Sequence, residues 1–303
     1  MFYILAALIL LTVNPSISEN PPEKKPKPSP TPFQDWDYIV YSQRWPITGC
    51  SQWEERSSQN TCSLPHDNTT WTVHGLWPTK IGANGPFFCN SAIHFDPDQL
   101  APMMKELQEY WTNVEANTKP NSLWKHEWNK HGTCAASLPL LNSVTNYFKQ
   151  GLEWNQDFRL SSMLSKSNIV PNTQGYNISD VYNAVKVATG KNPEIECVVD
   201  GKSKQSLISE IRLCFNKSLD LIDCNVSKFG GQDGDILSNC NGNKNVMYFA
   251  TVPNNTYTEE VIRDVYFDDV DEPNLEICIE YFNFQGRLLK LYSIIKFLMW
   301  FTL

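Results

Sequence analysis

Eight cysteines between residues 50 and 240 constrain the fold of this chain more than any other feature of its sequence. They are Cys50, Cys62, Cys89, Cys134, Cys197, Cys214, Cys224 and Cys240, enough for four disulfides. Disulfides form and persist in oxidising compartments, so these cysteines indicate an exported protein. The sequence alone does not choose among the many pairings. A ninth cysteine, Cys278, either stays free or links two chains, and the absence of a repeated C-x-x-C argues against structural zinc.

The N-terminal segment has the pattern of an export signal. Residues 2–13 are apolar but too short to span a bilayer comfortably, and the small residues Ser16 and Ser18 suit cleavage. We therefore predict a signal peptide over residues 1–18, with an uncleaved anchor as the alternative. The proline-rich residues 19–32 indicate an extended linker, and the folded body is expected over residues 33–253.

Two further segments follow the predicted body. Residues 254–287 form an acidic extension with nine acidic residues and two arginines. Residues 288–303 are apolar, but Lys290, Ser293 and Lys296 would lie within about 120° of arc on a helix. This arc predicts an amphipathic surface helix with weak membrane association rather than a spanning helix. A helix packed on the body and a cleaved lipid-anchor signal are the alternatives.

The charge and the periodicity of the body indicate its class. The whole chain has a formal net charge of −8, of which −4 lies on residues 33–253. A body with this charge is not a general polyanion binder, although it could still collect cations in one cleft. Helical patterns cover residues 98–111, 140–152 and 179–188, with Asp96 or Asp98 capping the first helix and Ser179 the last. Strand patterns cover residues 37–42, 195–199, 207–215 and 245–252. Together they predict an α+β fold, with an antiparallel sheet packed against several helices in a disulfide-bonded single domain.

Three of the five histidines lie in two short stretches. Residues 71–78 are Trp-Thr-Val-His-Gly-Leu-Trp-Pro, and residues 123–134 are Leu-Trp-Lys-His-Glu-Trp-Asn-Lys-His-Gly-Thr-Cys. In a helix over residues 124–131, the polar side chains of His126, Glu127, Lys130 and His131 would share an arc of about 140°. Trp128 would point away from this arc and anchor the helix in the core. Because histidine changes charge near neutral pH, the two stretches indicate proton transfer.

Two familiar hydrolytic sites do not fit these stretches. His126 and His131 are five residues apart rather than the four of H-E-x-x-H, which places their rings about 140° apart on a helix. Lys130 would also repel a metal cation, and no G-x-S-x-G nucleophile motif occurs.

Cleavage of a phosphodiester by an internal hydroxyl fits better. One imidazole removes the proton from the attacking oxygen, and a second gives a proton to the leaving oxygen. Lysine and a third, protonated imidazole offset the negative charge that grows on the phosphoryl oxygens. The nucleophile is the 2′-OH of the substrate, so DNA would not react. Since one histidine must be neutral and the other charged, we expect activity to peak at mildly acidic pH.

The two stretches together resemble the active-site segments of the ribonuclease T2 family of secreted and lysosomal acid endoribonucleases. The run Gln43-Arg44-Trp45-Pro46 before Cys50 is similar to that family's first strand and turn, and the order of the eight body cysteines is similar to that of its animal members. The resemblance covers about residues 35–253. It implies a monomeric ribonuclease domain over residues 33–253 that cleaves single-stranded RNA with no cofactor or metal, in a secreted or lysosomal/endosomal protein.

The resemblance also implies roles for individual residues. It assigns catalysis to His74, His126, Glu127, Lys130 and His131. His131 would act as base and His74 as acid in the transfer step, and the two would then exchange roles to hydrolyse the cyclic phosphate. His126 would hold the phosphate, while Glu127 and Lys130 would polarise it and stabilise the transition state.

Substrate binding is implied for Trp77, which would stack on a base, and for Gln43. Thr79 stands where many members have Asp, and Leu123 where many have Phe, so the base preference is not given. The resemblance implies the pairs Cys50–Cys62, Cys89–Cys134, Cys197–Cys240 and Cys214–Cys224.

Five N-x-S/T sequons are expected to be glycosylated and therefore exposed, at Asn68, Asn177, Asn216, Asn225 and Asn254. A glycoprotein that uses the same scaffold only for binding or signalling is the alternative from a different functional class.

Overall fold

The computed structural model describes residues 35–83, 85–224 and 236–253. Several predictions lie outside these residues: the signal peptide over 1–18, the linker over 19–32, the acidic extension over 254–287, the amphipathic helix over 288–303, Cys278, and the sequons at Asn225 and Asn254. Within the described ranges, no helix is long and apolar enough to cross a membrane.

A five-stranded antiparallel sheet forms the centre of the fold. Its strands are β1 (Tyr38–Arg44), β2 (Thr72–Thr79), β3 (Glu194–Val199), β4 (Ser206–Phe215) and β5 (Leu221–Ile222). The order across the sheet is β2-β1-β4-β3, with β5 paired to β4. The strands predicted over 37–42, 195–199 and 207–215 are confirmed, whereas β2 was not predicted. The strand predicted over 245–252 is wrong, because Val246 and Met247 form only isolated bridges.

Seven α-helices are present in the described residues. They are α1 (Pro46–Arg56), α2 (Met104–Tyr110), α3 (Ser122–Glu127), α4 (Thr133–Ala135), α5 (Val144–Asp157), α6 (Leu160–Ser165) and α7 (Ile178–Thr189). Of these helices, α5 is the one with the most contacts to edge strand β2. This arrangement confirms the α+β prediction.

The predicted helices form with shifted ends. The helix expected over 98–111 divides into a 3₁₀ segment (Pro97–Met103) and α2, because Pro102 cannot donate an α-helical hydrogen bond. Its cap is Asp96, which accepts a hydrogen bond from the backbone of Asp98. The helix expected over 179–188 is α7, and its cap is Asn177 rather than Ser179.

Side chains from the helices support the edge strand β2. An edge strand has backbone groups that no neighbouring strand can pair. Here the Trp111 indole donates to the carbonyl oxygen of His74 at 3.1 Å, and the Tyr147 hydroxyl bonds both the N–H and the carbonyl of Leu76. Trp111 and Tyr147 are both 0% exposed, so the core fixes the position of this strand.

Four disulfides join the loops to this frame. They are Cys50–Cys62, Cys89–Cys134, Cys197–Cys240 and Cys214–Cys224, the pairing that the family resemblance implied. Cys89–Cys134 ties the loop after β2 to α4, at the end of the segment that carries His131.

Three of the five sequons lie in the described residues. Asn68 and Asn177 are exposed, as glycosylation requires. Asn216 is half-buried, and its amide nitrogen donates to Asp220. Asn68 and Asn177 are therefore the open acceptors of the three, although Oδ1 of Asn177 also caps α7.

We predict that Gly151→Ala destabilises the fold, although alanine is the better helix former. A Cβ atom at Gly151 would lie 2.3 Å from the Trp111 ring and 2.9 Å from Leu76. Overpacking of this kind costs roughly 1–3 kcal/mol, measurable by urea unfolding. The control Lys149→Ala changes an exposed position of the same helix and should shift the free energy of unfolding by less than about 0.5 kcal/mol. Equal stability of Gly151→Ala and the unchanged protein would contradict the prediction.

Candidate active site

His74 is the extra residue of a β-bulge in β2. Across the β1–β2 ladder Ser42 pairs with Gly75 and Gln43 pairs with Val73, so His74 stands opposite no residue of β1. A bulge redirects the side chain that it carries. Here the imidazole turns to the same face of the sheet as Ser42, away from α5.

The second histidine stretch begins as α3 and continues as a π-helical turn (Trp128–Gly132) into α4. A regular α-helix over 124–131 was predicted, so that prediction is correct only as far as Glu127. Trp128 is 0% exposed, which confirms it as the anchor of this segment. A Cβ atom at Gly132 would lie 2.4 Å from the Trp128 ring, so the turn needs a glycine there. Single π turns of this kind are frequent at functional sites.

The two stretches meet at Trp77. Its indole N–H donates to Oε2 of Glu127 at 2.9 Å. Its ring centroid lies 5.0 Å from that of His74 and 5.5 Å from that of His131. The approach is so close that a Cβ atom at Gly75 would lie 2.1 Å from Oε2 of Glu127. The two histidines that were predicted to act as acid and base therefore contact one indole ring.

Phe87 forms a further wall of the site and was not predicted from the sequence. Its ring centroid lies 5.6 Å from that of His131, and Nζ of Lys130 lies 5.0 Å from the Phe87 ring. The backbone N–H of the following residue donates to the carbonyl of Lys130 at 2.9 Å. Together with the Cys89–Cys134 disulfide, this bond fastens the loop to the segment that carries Lys130 and His131.

Three charged residues beside His74 were also missed. Nη2 of Arg44 lies 3.0 Å from Nε2 of His74, and Oε1 of Glu210 lies 2.6 Å from Nδ1. Arg212 in turn pairs with Glu210. The sequence did contain a sign of two of them. Glu210 and Arg212 are two residues apart in a largely apolar strand, and this spacing places both charges on one face of the sheet.

Gln43, which the resemblance assigned to substrate binding, lies on the opposite face of β1 from His74. Its side chain is 1% exposed, donates to the carbonyl of Phe158 and accepts from the amide of Asn155 on α5. Successive side chains of a strand point to opposite faces. Arg44, the next residue, therefore faces His74, while Gln43 ties β1 to the helices.

Burial sets the charge states in the site. It lowers the pKa of His74 to about 4, helped by the positive charge of Arg44 and opposed by Glu210. It also lowers the pKa of His126 to about 4, with Lys130 as the next cause. Burial raises the pKa of Glu127 to about 8, against the hydrogen bond from Trp77. At mildly acidic pH the free protein thus holds two neutral imidazoles and a protonated Glu127.

Comparisons with known proteins agree with this geometry. The model of the Ribonuclease T2 family matches residues 36–224. Ribonuclease Oy of Magallana gigas is 40% identical over 195 residues, which cover 63% of this chain and 89% of that protein. The crystal structure of human RNase T2 matches with a TM-score of 0.57 and 32% identity, over 71% of this chain and 99% of that one. RNase NT in complex with 5′-AMP matches with a TM-score of 0.59 and 25% identity, over 71% of this chain and 99% of that one.

The chain belongs to the ribonuclease T2 family, and it is an endoribonuclease of that type. This confirms the resemblance drawn from the two histidine stretches.

We predict that Glu127→Gln raises the melting temperature at about pH 7.5 and leaves it nearly unchanged at about pH 4. The pKa of Glu127 is raised from 4.5 to about 8 in the folded protein, so its carboxyl ionises more easily in the unfolded chain than in the folded one. The free energy of unfolding therefore falls as pH rises through this window. Glutamine cannot ionise and still accepts the Trp77 hydrogen bond. The control Glu106→Gln, at an exposed position of α2, should shift neither melting temperature. A melting temperature that rises only at acidic pH would contradict a raised pKa of Glu127.

We also predict that Gly75→Ala lowers the rate of RNA cleavage about a hundredfold while the protein stays folded. The added methyl group would displace the Glu127 carboxyl and the Trp77 indole, 2.1 Å and 2.2 Å from its position. Initial rates on single-stranded RNA and circular dichroism measure the two quantities. Gly242→Ala is the control, since no atom lies within 4 Å of its added carbon. An active Gly75→Ala protein would show that the close approach is not required.

Proposed function

We propose that this endoribonuclease cleaves single-stranded RNA by attack of the 2′-OH on the adjacent phosphodiester, leaving a 2′,3′-cyclic phosphate. The observation that carries the proposal is the contact of His74 and His131 with the same indole ring, at 5.0 Å and 5.5 Å between centroids. This places two proton-transfer groups around one small space. A phosphodiester cleavage needs such a pair, one on the nucleophile and one on the leaving oxygen.

In the transfer step His131 removes the proton from the 2′-OH, and the oxygen attacks phosphorus. His74 gives its proton to the 5′ oxygen as the bond from phosphorus to that oxygen breaks. In the second step the two histidines exchange roles, and water opens the cyclic phosphate. The nucleophile is the 2′-OH, so DNA is not a substrate.

The substrate itself supports the charge state that His74 needs. In the free protein the pKa of His74 is about 4, because burial and Arg44 oppose its protonation. A bound phosphodiester adds a negative charge beside the ring and raises this pKa. Activity should therefore be highest at mildly acidic pH and fall as His74 loses its proton.

Lys130 and Arg44 supply positive charge for the phosphoryl oxygens in the transition state. His126 is neutral in the free protein at mildly acidic pH, and the bound phosphodiester raises its pKa as it raises that of His74, so that His126 can add to this charge. Glu127 acts differently from an ordinary glutamate, because burial raises its pKa to about 8. At acidic pH it is protonated and can donate a hydrogen bond to a phosphoryl oxygen instead of repelling it.

The aromatic rings beside His131 favour unpaired bases. Trp77 and Phe87 border His131 and offer stacking surfaces to single-stranded RNA. The similar RNase NT has been crystallised with 5′-AMP, a nucleotide, which supports a nucleotide site in this fold. We assign no base preference.

We further propose that the protein is exported and acts outside the cell or in lysosomes or endosomes. Four disulfides in the described residues suit an oxidising compartment. An acidic compartment would also match the charge states required of His74 and Glu127. Exposed Asn68 is the sequon that we expect to carry a glycan first.

We predict that His74→Phe and His131→Phe each abolish RNA cleavage, because each removes one proton-transfer group. Product analysis of the unchanged protein should detect 2′,3′-cyclic ends, and RNA with 2′-O-methyl groups should stay intact. His66→Phe is the matched control: His66 is exposed and lies outside both stretches, so this variant should cleave normally.

Chelation with EDTA should leave the rate unchanged. Loss of activity with EDTA would instead indicate a metal. RNA binding without cleavage by the unchanged protein would favour the binding or signalling glycoprotein, and full activity of both histidine variants would refute the mechanism.

A further inference from the structure

Glu210 contacts His74 from the middle of β4. It is 7% exposed, and its Oε1 atom lies 2.6 Å from Nδ1 of His74. Its other oxygen, Oε2, accepts hydrogen bonds from Ser42 at 3.0 Å and from Nε of Arg212 at 3.0 Å. Because these bonds hold Oε2, the carboxylate cannot turn, and Oε1 stays directed at the imidazole.

The neighbours of His74 also determine which ring nitrogen carries its proton. Nη2 of Arg44 lies 3.0 Å from Nε2 and 3.3 Å from Nδ1. A guanidinium only donates hydrogen bonds, and an ionised carboxylate only accepts them. The neutral ring therefore places its proton on Nδ1, towards Glu210, and its lone pair on Nε2.

Several charged or titratable groups act on His74: Arg44 on β1, His126 and Glu127 on α3, and Glu210 and Arg212 on β4. Oε1 of Glu127 lies 3.7 Å from Nε2, but burial raises the pKa of Glu127 to about 8, so it carries no charge at acidic pH. Glu210 behaves oppositely. Burial raises its pKa, yet the attraction of His74 and Arg44 outweighs burial and leaves the pKa lowered. Glu210 is therefore the anion beside His74 at the pH where the enzyme works.

We propose that Glu210 is a positioning residue for His74: it holds the Nδ1 proton, leaves Nε2 to exchange protons with RNA, and stabilises the protonated ring. This inference rests on the proposed role of His74 as the acid of the transfer step. The proton given to the 5′ oxygen comes from Nε2, while the Nδ1 proton stays in its bond to Glu210. Protonation of Nε2 requires Arg44 to release that nitrogen, and the phosphodiester anion offers the guanidinium a charged partner.

The chain contains a matched control for this role. Arg212 donates to Glu210 and also, through Nη1, to Glu194 at 2.7 Å. Glu194 is 5% exposed and lies on the neighbouring strand β3. Glu194→Gln and Glu210→Gln therefore each remove one buried carboxylate charge from the same guanidinium. Only Glu210→Gln also removes a charge from His74.

The experiment measures kcat and KM for a dinucleotide substrate across pH in the full chain and both variants, together with their melting temperatures. Glu210→Gln should lower kcat at least about tenfold with little change in KM, because the loss falls on proton transfer. The alkaline limb of its pH profile should move about one pH unit towards acid. Without the Glu210 carboxylate beside the ring, the pKa of His74 is lower, so the ring loses its proton at a lower pH. Glu194→Gln should lose stability but keep the profile of the unchanged protein.

A second measurement does not depend on any variant. Nitrogen NMR of the unchanged protein should find the neutral His74 ring protonated at Nδ1. A proton on Nε2, a Glu210→Gln profile that superimposes on the unchanged one, or an equal shift in Glu194→Gln would each overturn the proposal. These results differ from failure of the proposed function, in which His74→Phe itself would stay active.

Discussion

The hydrogen bond between the Trp77 indole and the Glu127 carboxyl holds the two halves of this site together. It joins edge strand β2 to the helical segment that carries His126, Lys130 and His131. The bond forms only because Gly75 has no side chain where the two groups meet. Since His74 lies in one half and His131 in the other, the distance between the proposed acid and base depends on this contact, and both halves are anchored by buried aromatic rings.

The face of the sheet that carries the site is unusually rich in buried charge. Arg212 is bound by carboxylates from β3 and from its own strand, and Glu210 links that group to His74. Buried ion pairs contribute little net stability, because desolvation offsets their attraction. Glu127 remains buried with a strongly raised pKa, which costs stability near neutral pH. Such costs are typical of functional sites, where preorganised charge matters more than stability.

Some elements followed directly from local patterns. The periodicity of α5 and α7 identified both helices, and the spacing around Trp128 placed that side chain in the core. The bulge at His74, the π turn and the cap at Asn177 did not follow, because each depends on contacts distant in sequence or on one residue of register. The face that Gln43 occupies did not follow for the same reason, since only strand pairing decides which face a residue occupies.

The sequence by itself determined the class of protein: two histidine stretches, their lysine and glutamate, and eight cysteines sufficed to identify an endoribonuclease of the ribonuclease T2 family. Those residues lie within short local motifs, so their order along the chain is enough to identify the family. Only the tertiary structure decided which charges surround His74. Arg44 and Glu210 are far apart in sequence, and they meet at its ring because β1 pairs with both β2 and β4.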